Sequence, residues 1–314
     1  QINQIEYGVN PWIRLNLLLD TLSKISFSDS VFYNRISVEF LKYVKWEDYA
    51  NCSEWKIGMQ KWVHCLDNSC RGGYCFLGFH ECSEIYCKLL KMLQSNDPQL
   101  ACLAIRCLGQ WDFPYLTGDI IDHLQAIATP KKTKQALTNL RFAADVSDQK
   151  LGITVIEKQY RLKIVPLVIQ VLLPRLHERS SRNISVCKAS YLWIAGLDSR
   201  EIYPLMRKFF SIVTPNQSVL DAIIHMAITN EGWKKNCLEM CPDFSTLPMK
   251  SINIFFRNLE DLLYYLGEHV LEYVEVIVPI SIKLIFTVAR ICEQGRSMRV
   301  NNISPYSTQR EEKK

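Results

Sequence analysis

The sequence predicts an all-α protein, an α-solenoid of HEAT- or armadillo-like helical repeats. Apolar residues recur at helical spacing along most of the chain, and Gly and Pro are sparse, at 12 each in 314 residues. No Asn-Gly or Asp-Gly hairpin signal interrupts the pattern. With 48% hydrophobic and 22% charged residues, the chain carries enough apolar surface for a packed core.

Taken in order, helices are expected first over about 10–24 and 34–46. The clearest pair follows. "CSEIYCKLLKML" places Ile85, Leu89 and Met92 on one face. "DPQLACLAIRCLGQW" places Leu100, Leu103, Ala104, Cys107 and Leu108 at i, i+3, i+4, i+7 and i+8. Only "QSND" separates them, so they read as a helix hairpin, with Asp97 as N-cap and Pro98 as the first helical residue. Further helices are expected over 115–128, 131–144, 158–173, 184–195, 200–213, 218–229, 247–266 and 268–292. Short joints, with apolar residues on more than one face, suit helix pairs stacked in an array.

"ASYLWIAGLDSREIYPLM" (189–206) reads as a joint between two such helices. Ile184, Cys187, Tyr191 and Ile194 give the first helix its buried face. Gly196 is expected just past its end in a left-handed conformation, with Leu197 closing against Leu192. Asp198 and Glu201 form a capping box for the next helix, and Pro204 falls near its first turn. A ligand-binding turn would need neighbouring phosphate-binding glycines, which this stretch lacks.

The chain is expected to divide into N-terminal repeats with a Cys-rich segment (1–80), a helical-repeat region carrying a basic segment (81–213), and further repeats with a charged tail (214–314). Gln1 at the start and "STQREEKK" at the end suggest a processed or excised piece of a longer chain.

Several function classes fit poorly. A basic region followed by a sustained apolar run is missing at the N-terminus, so no secretory leader is read there. "VLEYVEVIVPISIKLIFTVARI" is the most apolar long stretch, but Glu272, Glu275, Pro279 and Lys283 favour a buried helix of a stacked array over a membrane span. Neither a nucleophile elbow, a P-loop nor a dinucleotide fingerprint occurs. His64–Cys65 has no placed third partner, His123, His177, His225 and His269 are isolated, and Glu260–Asp261 are helix neighbours that do not face each other. No enzyme activity, cofactor or small-molecule substrate is expected.

Of the 12 cysteines, Cys52, Cys65, Cys70, Cys75, Cys82 and Cys87 cluster with His64 and His80. Zinc needs four soft ligands on paired short spacings. The chain has no C-x-x-C, and Cys82 and Cys87 fall on different helix faces. Buried thiols in a reducing compartment are therefore expected, rather than a metal site or a disulfide framework.

Charge is uneven. Between Lys131 and Lys188 twelve basic residues stand against four acidic ones, whereas the whole chain is only +5. A local excess of this kind suits phosphate contacts. The candidates are Lys131, Lys132, Lys134, Arg161, Lys163, Arg175, Arg179 and Arg182; the competing reading is a solvated helix face.

"IEKQYRLKIVPLVIQVLLPRL", the basic "HERSSRN", then "ASYLWIAGLDSREIYPLMRKFF", resemble the DRIM-type region of the component-20 family of small-subunit processome scaffolds. Tyr160–Arg161, the helix with Pro166, and the Ala195–Gly196–Leu197 turn occur together and in order. "LLKMLQSNDPQLACLAIRCLGQWDFPYL" is similar to the helix pair that precedes that region, so the resemblance covers about 84–213. It implies a non-catalytic HEAT-repeat scaffold in the nucleolus, acting in pre-18S ribosomal RNA processing and small-subunit biogenesis. Its partners would be pre-ribosomal RNA and proteins of the U3 small nucleolar ribonucleoprotein and processome. The alternative is a protein-binding helical-repeat module, such as a transport receptor or assembly chaperone.

Overall fold

Consecutive helices, each packed mainly on helices one or two steps away in the chain, form the fold seen in the computed structural model. The structure describes residues 11–24, 30–45, 52–71, 81–142, 153–177, 184–214, 216, 218, 221–222 and 244–301. By contact the chain divides into two compact units, 1–196 and 197–314.

The first unit contains α1 (Pro11–Leu22), α2 (Ser30–Val44), α3 (Ser53–Arg71), α4 (Cys82–Met92), α5 (Pro98–Gly109), α6 (Gly118–Ala128), α7 (Thr133–Asn139), β1 (Leu140–Phe142), β2 (Thr154–Ile156), α8 (Arg161–His177) and α9 (Ile184–Ile194). Helix α3 lies against α1 and α5, α5 against α4 and α6, α6 against α7 and α8, and α9 against α7 and α8. Such short-range packing is the signature of stacked helix pairs, in which each pair buries the apolar face its neighbour exposes. The chain is all-α and repeat-like, as its periodicity predicts.

The α4–α5 hairpin forms as its sequence implies. Ile85, Leu89, Leu100, Ala104, Cys107 and Leu108 are buried, and Leu103 is half-buried. The Asp97 carboxylate accepts from the Gln99 N–H at 2.9 Å, one of the donors the helix itself leaves unpaired.

Helix α3 was not expected, because Gly58, His64 and Asp67 break its apolar stripe. Two of them have a packing reason. Asp67 is fully buried and pairs with Arg106 Nη2 of α5 at 3.0 Å. Gly58 makes room for Tyr43, whose hydroxyl oxygen would collide with any added Cβ. That hydroxyl donates to the Trp55 carbonyl at 2.9 Å, while the Tyr43 ring stacks on Trp55.

Two expectations are corrected. The helix expected over 131–144 stops at Asn139, and β1 pairs with β2 in parallel, Leu140 opposite Thr154 and Phe142 opposite Ile156. Leu140 and Phe142 face inward and Arg141 outward, a period of two held for only three residues. That is too short to register against the helical pattern before it. Gly196 does not adopt a left-handed φ; helix α9 ends in a tightened turn in which the Gly196 N–H donates to the Trp193 carbonyl at 3.1 Å. Leu192, expected to close the helix end, is instead 59% exposed.

The second unit contains α10 (Tyr203–Phe210), α11 (Met249–Val270) and α12 (Val274–Asn301). The expected capping box does not form on α10, whose N-cap is Ile202 with no side-chain cap bond; the Glu201 carboxylate instead accepts from the Asp198 N–H at 2.9 Å within the turn ahead of the helix. Helix α10 starts only at Tyr203, so Pro204 sits in its first turn, where a missing N–H costs least. Phe209 stacks on Phe255 with ring centroids 4.5 Å apart, and Phe210, Phe244 and Tyr273 fill the core beside them. Most of the helix expected over 218–229 lies outside the described residues.

Helix α12 is apolar on two faces. Val276, Ile277, Ile280 and Leu284 are buried, whereas Val278, Ile282, Ile285 and Phe286 are exposed. The burial expected of this stretch holds for one face only. Among the described residues no helix is long and apolar enough to cross a membrane.

Candidate nucleic-acid interface

The eight basic candidates separate by the work their surroundings give them. Lys131, Lys132 and Lys134 flank Thr133, which is buried and fixes the turn into α7. Its hydroxyl lies 2.9 Å from the Ile127 carbonyl and 3.0 Å from that of Thr129, and the Lys132 N–H closes the turn on Thr129 at 2.9 Å. With Thr133 pointing inward, the three lysines around it stand in solvent. Lys163 is also exposed, near the start of α8.

Arg161 is half-buried and serves as a clamp. Its guanidinium lies 4.2 Å over the Phe142 ring, and Nη2 donates to the Gly196 carbonyl at 3.3 Å. It therefore ties the start of α8 to β1 and to the end of α9, with only part of its surface available to a phosphate.

Arg175 is a correction. It is 6% exposed, and Nη2 donates to the Ala128 carbonyl at 2.7 Å. The end of α6 explains why. Its last carbonyls have no partner within the helix; Gln125 and Ala126 are served by the Thr129 N–H, Ile127 by the Thr133 hydroxyl, and Ala128 by Arg175. A cation at this negative helix end is favourable, so Arg175 is a buried cap rather than a phosphate ligand. Arg179 and Arg182 lie outside the described residues.

A groove opens where α7 and β1 meet α9. Its lining includes Lys134 and Arg141 on the rim, with Leu137, Leu192, Phe142 and Trp193 below, around a cavity of about 350 Å³. The Trp193 indole is held by a 3.2 Å bond from Nε1 to the Leu140 carbonyl. Arg141 and the groove were not expected, because a helix over 131–144 sets neighbouring side chains about 100° apart, whereas the strand turns Arg141 opposite to the inward Leu140 and Phe142. The burial alternation in "LRF" was the available signal, and it is only three residues long.

The cysteine-rich segment shows no gathering of ligands in its described part. The Cys65 thiol is buried, donates to the Leu19 carbonyl at 3.4 Å, and is pushed up by burial to about 12. Burial therefore favours its neutral form. His64 turns instead to Asn68, at 3.4 Å. Cys52 lies beside Glu54 at 2.9 Å, and Cys82 and Cys87 sit in α4, half-buried and exposed. The side chain of Cys70, and Cys75 and His80 altogether, lie outside the described residues. Among the described residues no three His, Cys, Asp or Glu side chains are grouped to hold a metal. His123 is engaged by the Thr154 hydroxyl at 3.0 Å and the Asp119 carbonyl at 3.3 Å, linking α6 to β2.

Comparison with known families matches residues 78–313 to the model described as U3 small nucleolar RNA-associated protein 20, N-terminal. The match spans most of the chain, from just before α4 to beyond α12. No curated protein and no solved structure matches the chain.

Proposed function

The chain belongs to the N-terminal family of U3 small nucleolar RNA-associated protein 20, and from that membership we propose that it is a non-catalytic architectural segment of the small-subunit processome. The family ties the chain to small-subunit ribosome biogenesis. In the reading proposed here it works in the nucleolus, in pre-18S ribosomal RNA processing, beside the U3 small nucleolar ribonucleoprotein. Its stacked helices present surfaces to processome proteins, and its basic surface meets pre-ribosomal RNA.

The observation that supports this most directly is the cluster Lys131, Lys132 and Lys134, three exposed lysines held on a turn that the buried Thr133 fixes. A turn fixed in advance spares the backbone part of the ordering penalty on binding, and phosphate neutralisation releases counterions whatever the sequence of the RNA. Lys163 extends this set, Arg161 contributes its accessible edge, and Arg179 and Arg182 remain candidates from sequence. Arg175 leaves it.

Reversing Lys131, Lys132 and Lys134 to Glu tests the proposal in cells by crosslinking to pre-ribosomal RNA. Loss of crosslinks with the protein still folded supports RNA contact. Unchanged crosslinks remove the lysine turn as an RNA contact.

A further inference from the structure

The groove between the α7–β1 segment and α9 combines two properties that an exposed lysine cluster does not have. The charged residues lining it, Lys134 and Arg141, are both basic, and among the described lining residues there is no carboxylate. Leu192 is one of the lining residues and is 59% exposed, although Tyr191, Trp193 and Ile194 beside it in the chain are buried. An inorganic anion would leave Leu192 unsatisfied, and an apolar partner would leave both cations stranded. A partner with an anionic group and a flat apolar face matches both, and an unpaired nucleotide is such a partner.

Size narrows the choice. A cavity of about 350 Å³ is at the lower end of small-ligand sites. A docking helix, about 10–12 Å across with its side chains, needs a longer trough, and a duplex hides its base faces in the stack. The walls are fixed in advance. Trp193 is bonded to the Leu140 carbonyl, Phe142 is backed by Arg161, and the Arg141 Nε donates to the Thr138 carbonyl at 3.1 Å, which uses one of five guanidinium N–H donors.

We propose that this groove holds one unpaired nucleotide of a single-stranded RNA, its phosphate between Lys134 and Arg141 and its base against Leu192 and the edge of Trp193. This rests on the RNA-contact reading above and gives that reading a place for a base, where the lysine turn offers charge alone.

The test uses the intact chain and a short fluorescein-labelled single-stranded oligouridylate, with binding followed over a range of salt. Lys134→Glu with Arg141→Glu should weaken binding and flatten the salt slope by about 0.7, the value for one phosphate neutralised on a single strand. Leu192→Ala should weaken binding about fivefold at unchanged slope, since it removes an apolar contact and no charge. Both sites are exposed, so circular dichroism should be unaltered. Photocrosslinks from 5-iodouridine should fall within 134–142 and 189–196. If the chain binds RNA and these variants leave affinity and slope alone while Lys131→Glu with Lys132→Glu lowers them, the groove assignment is wrong and the lysine-turn reading stands. If the unmodified chain binds no RNA, both are wrong. If the groove variants abolish capture of an acidic peptide but not of RNA, the groove belongs to a protein partner and the assignment is overturned.

Discussion

Arg175 of α8 donates through Nη2 to the Ala128 carbonyl at the end of α6, at 2.7 Å, with only 6% of its surface exposed. The bond joins two helices whose residues lie 47 positions apart. It also divides the basic segment into cations that hold the fold and cations that face solvent. Arg161, clamped over Phe142, stands between the two classes.

Arg175→Ala should therefore act on stability. A bond from a charged donor to a buried carbonyl is worth about 1.5–3 kcal/mol, and the thermal midpoint should fall accordingly. RNA affinity of the folded variant should match that of the parent. Lys131→Glu should show the reverse pattern, with an unchanged midpoint and weaker binding.

The Asp67–Arg106 pair should be asymmetric under mutation. Asp67 is fully buried and Arg106 is about a third exposed. Arg106→Ala strips a buried carboxylate of its cation and should cost about 3–5 kcal/mol. Asp67→Asn leaves Arg106 partly hydrated and should cost less. Urea denaturation of both variants, with slopes compared, checks the order.

Cys65 should make the fold sensitive to alkali. Its thiol is pushed up to about 12 in the fold, from a starting value of 9.0. Its stabilising contribution is complete below pH 9. From there to pH 12 the unfolded chain ionises this thiol and the folded one does not, so stability falls by about 1.4 kcal/mol per pH unit. Cys65→Ala lowers stability at pH 8 through lost packing and should reduce the decline between pH 9 and pH 10.5. Peptide mapping after iodoacetamide at pH 8 should find Cys87 and Cys292 modified and Cys65 and Cys107 protected, in line with their exposure.

Removing the α5 cap should be a local loss. Asp97→Ala deletes the acceptor for the Gln99 N–H and the bond from Gln60, and should cost about 1–2 kcal/mol. Hydrogen exchange should quicken first at the start of α5.

The repeat character was legible because helical periodicity survives without tertiary information: Ile85, Leu89, Leu100 and Ala104 all went where their spacing puts them. The Asp97–Pro98 start was legible because capping is local chemistry, whereas the box expected at Asp198 failed because α10 begins only at Tyr203. What escaped was set by partners distant in sequence. Asp67 breaks the stripe of α3 until Arg106 is seen beside it, and Gly58 has no evident role without Tyr43. Arg175 looks like surface charge until the end of α6 supplies a carbonyl. The candidate interface was half legible, since the excess of charge is a property of composition whereas the three-residue strand that aims Arg141 depends on pairing with β2.

The central claim is that this chain is a scaffold of the small-subunit processome. Native purification of the tagged protein from nuclear extract, with U3 small nucleolar RNA quantified in the eluate, tests it most directly. The account predicts strong enrichment of U3 and of 18S precursors, co-sedimenting with the protein in large particles. Recovery with soluble cargo and no enrichment of either RNA would contradict it.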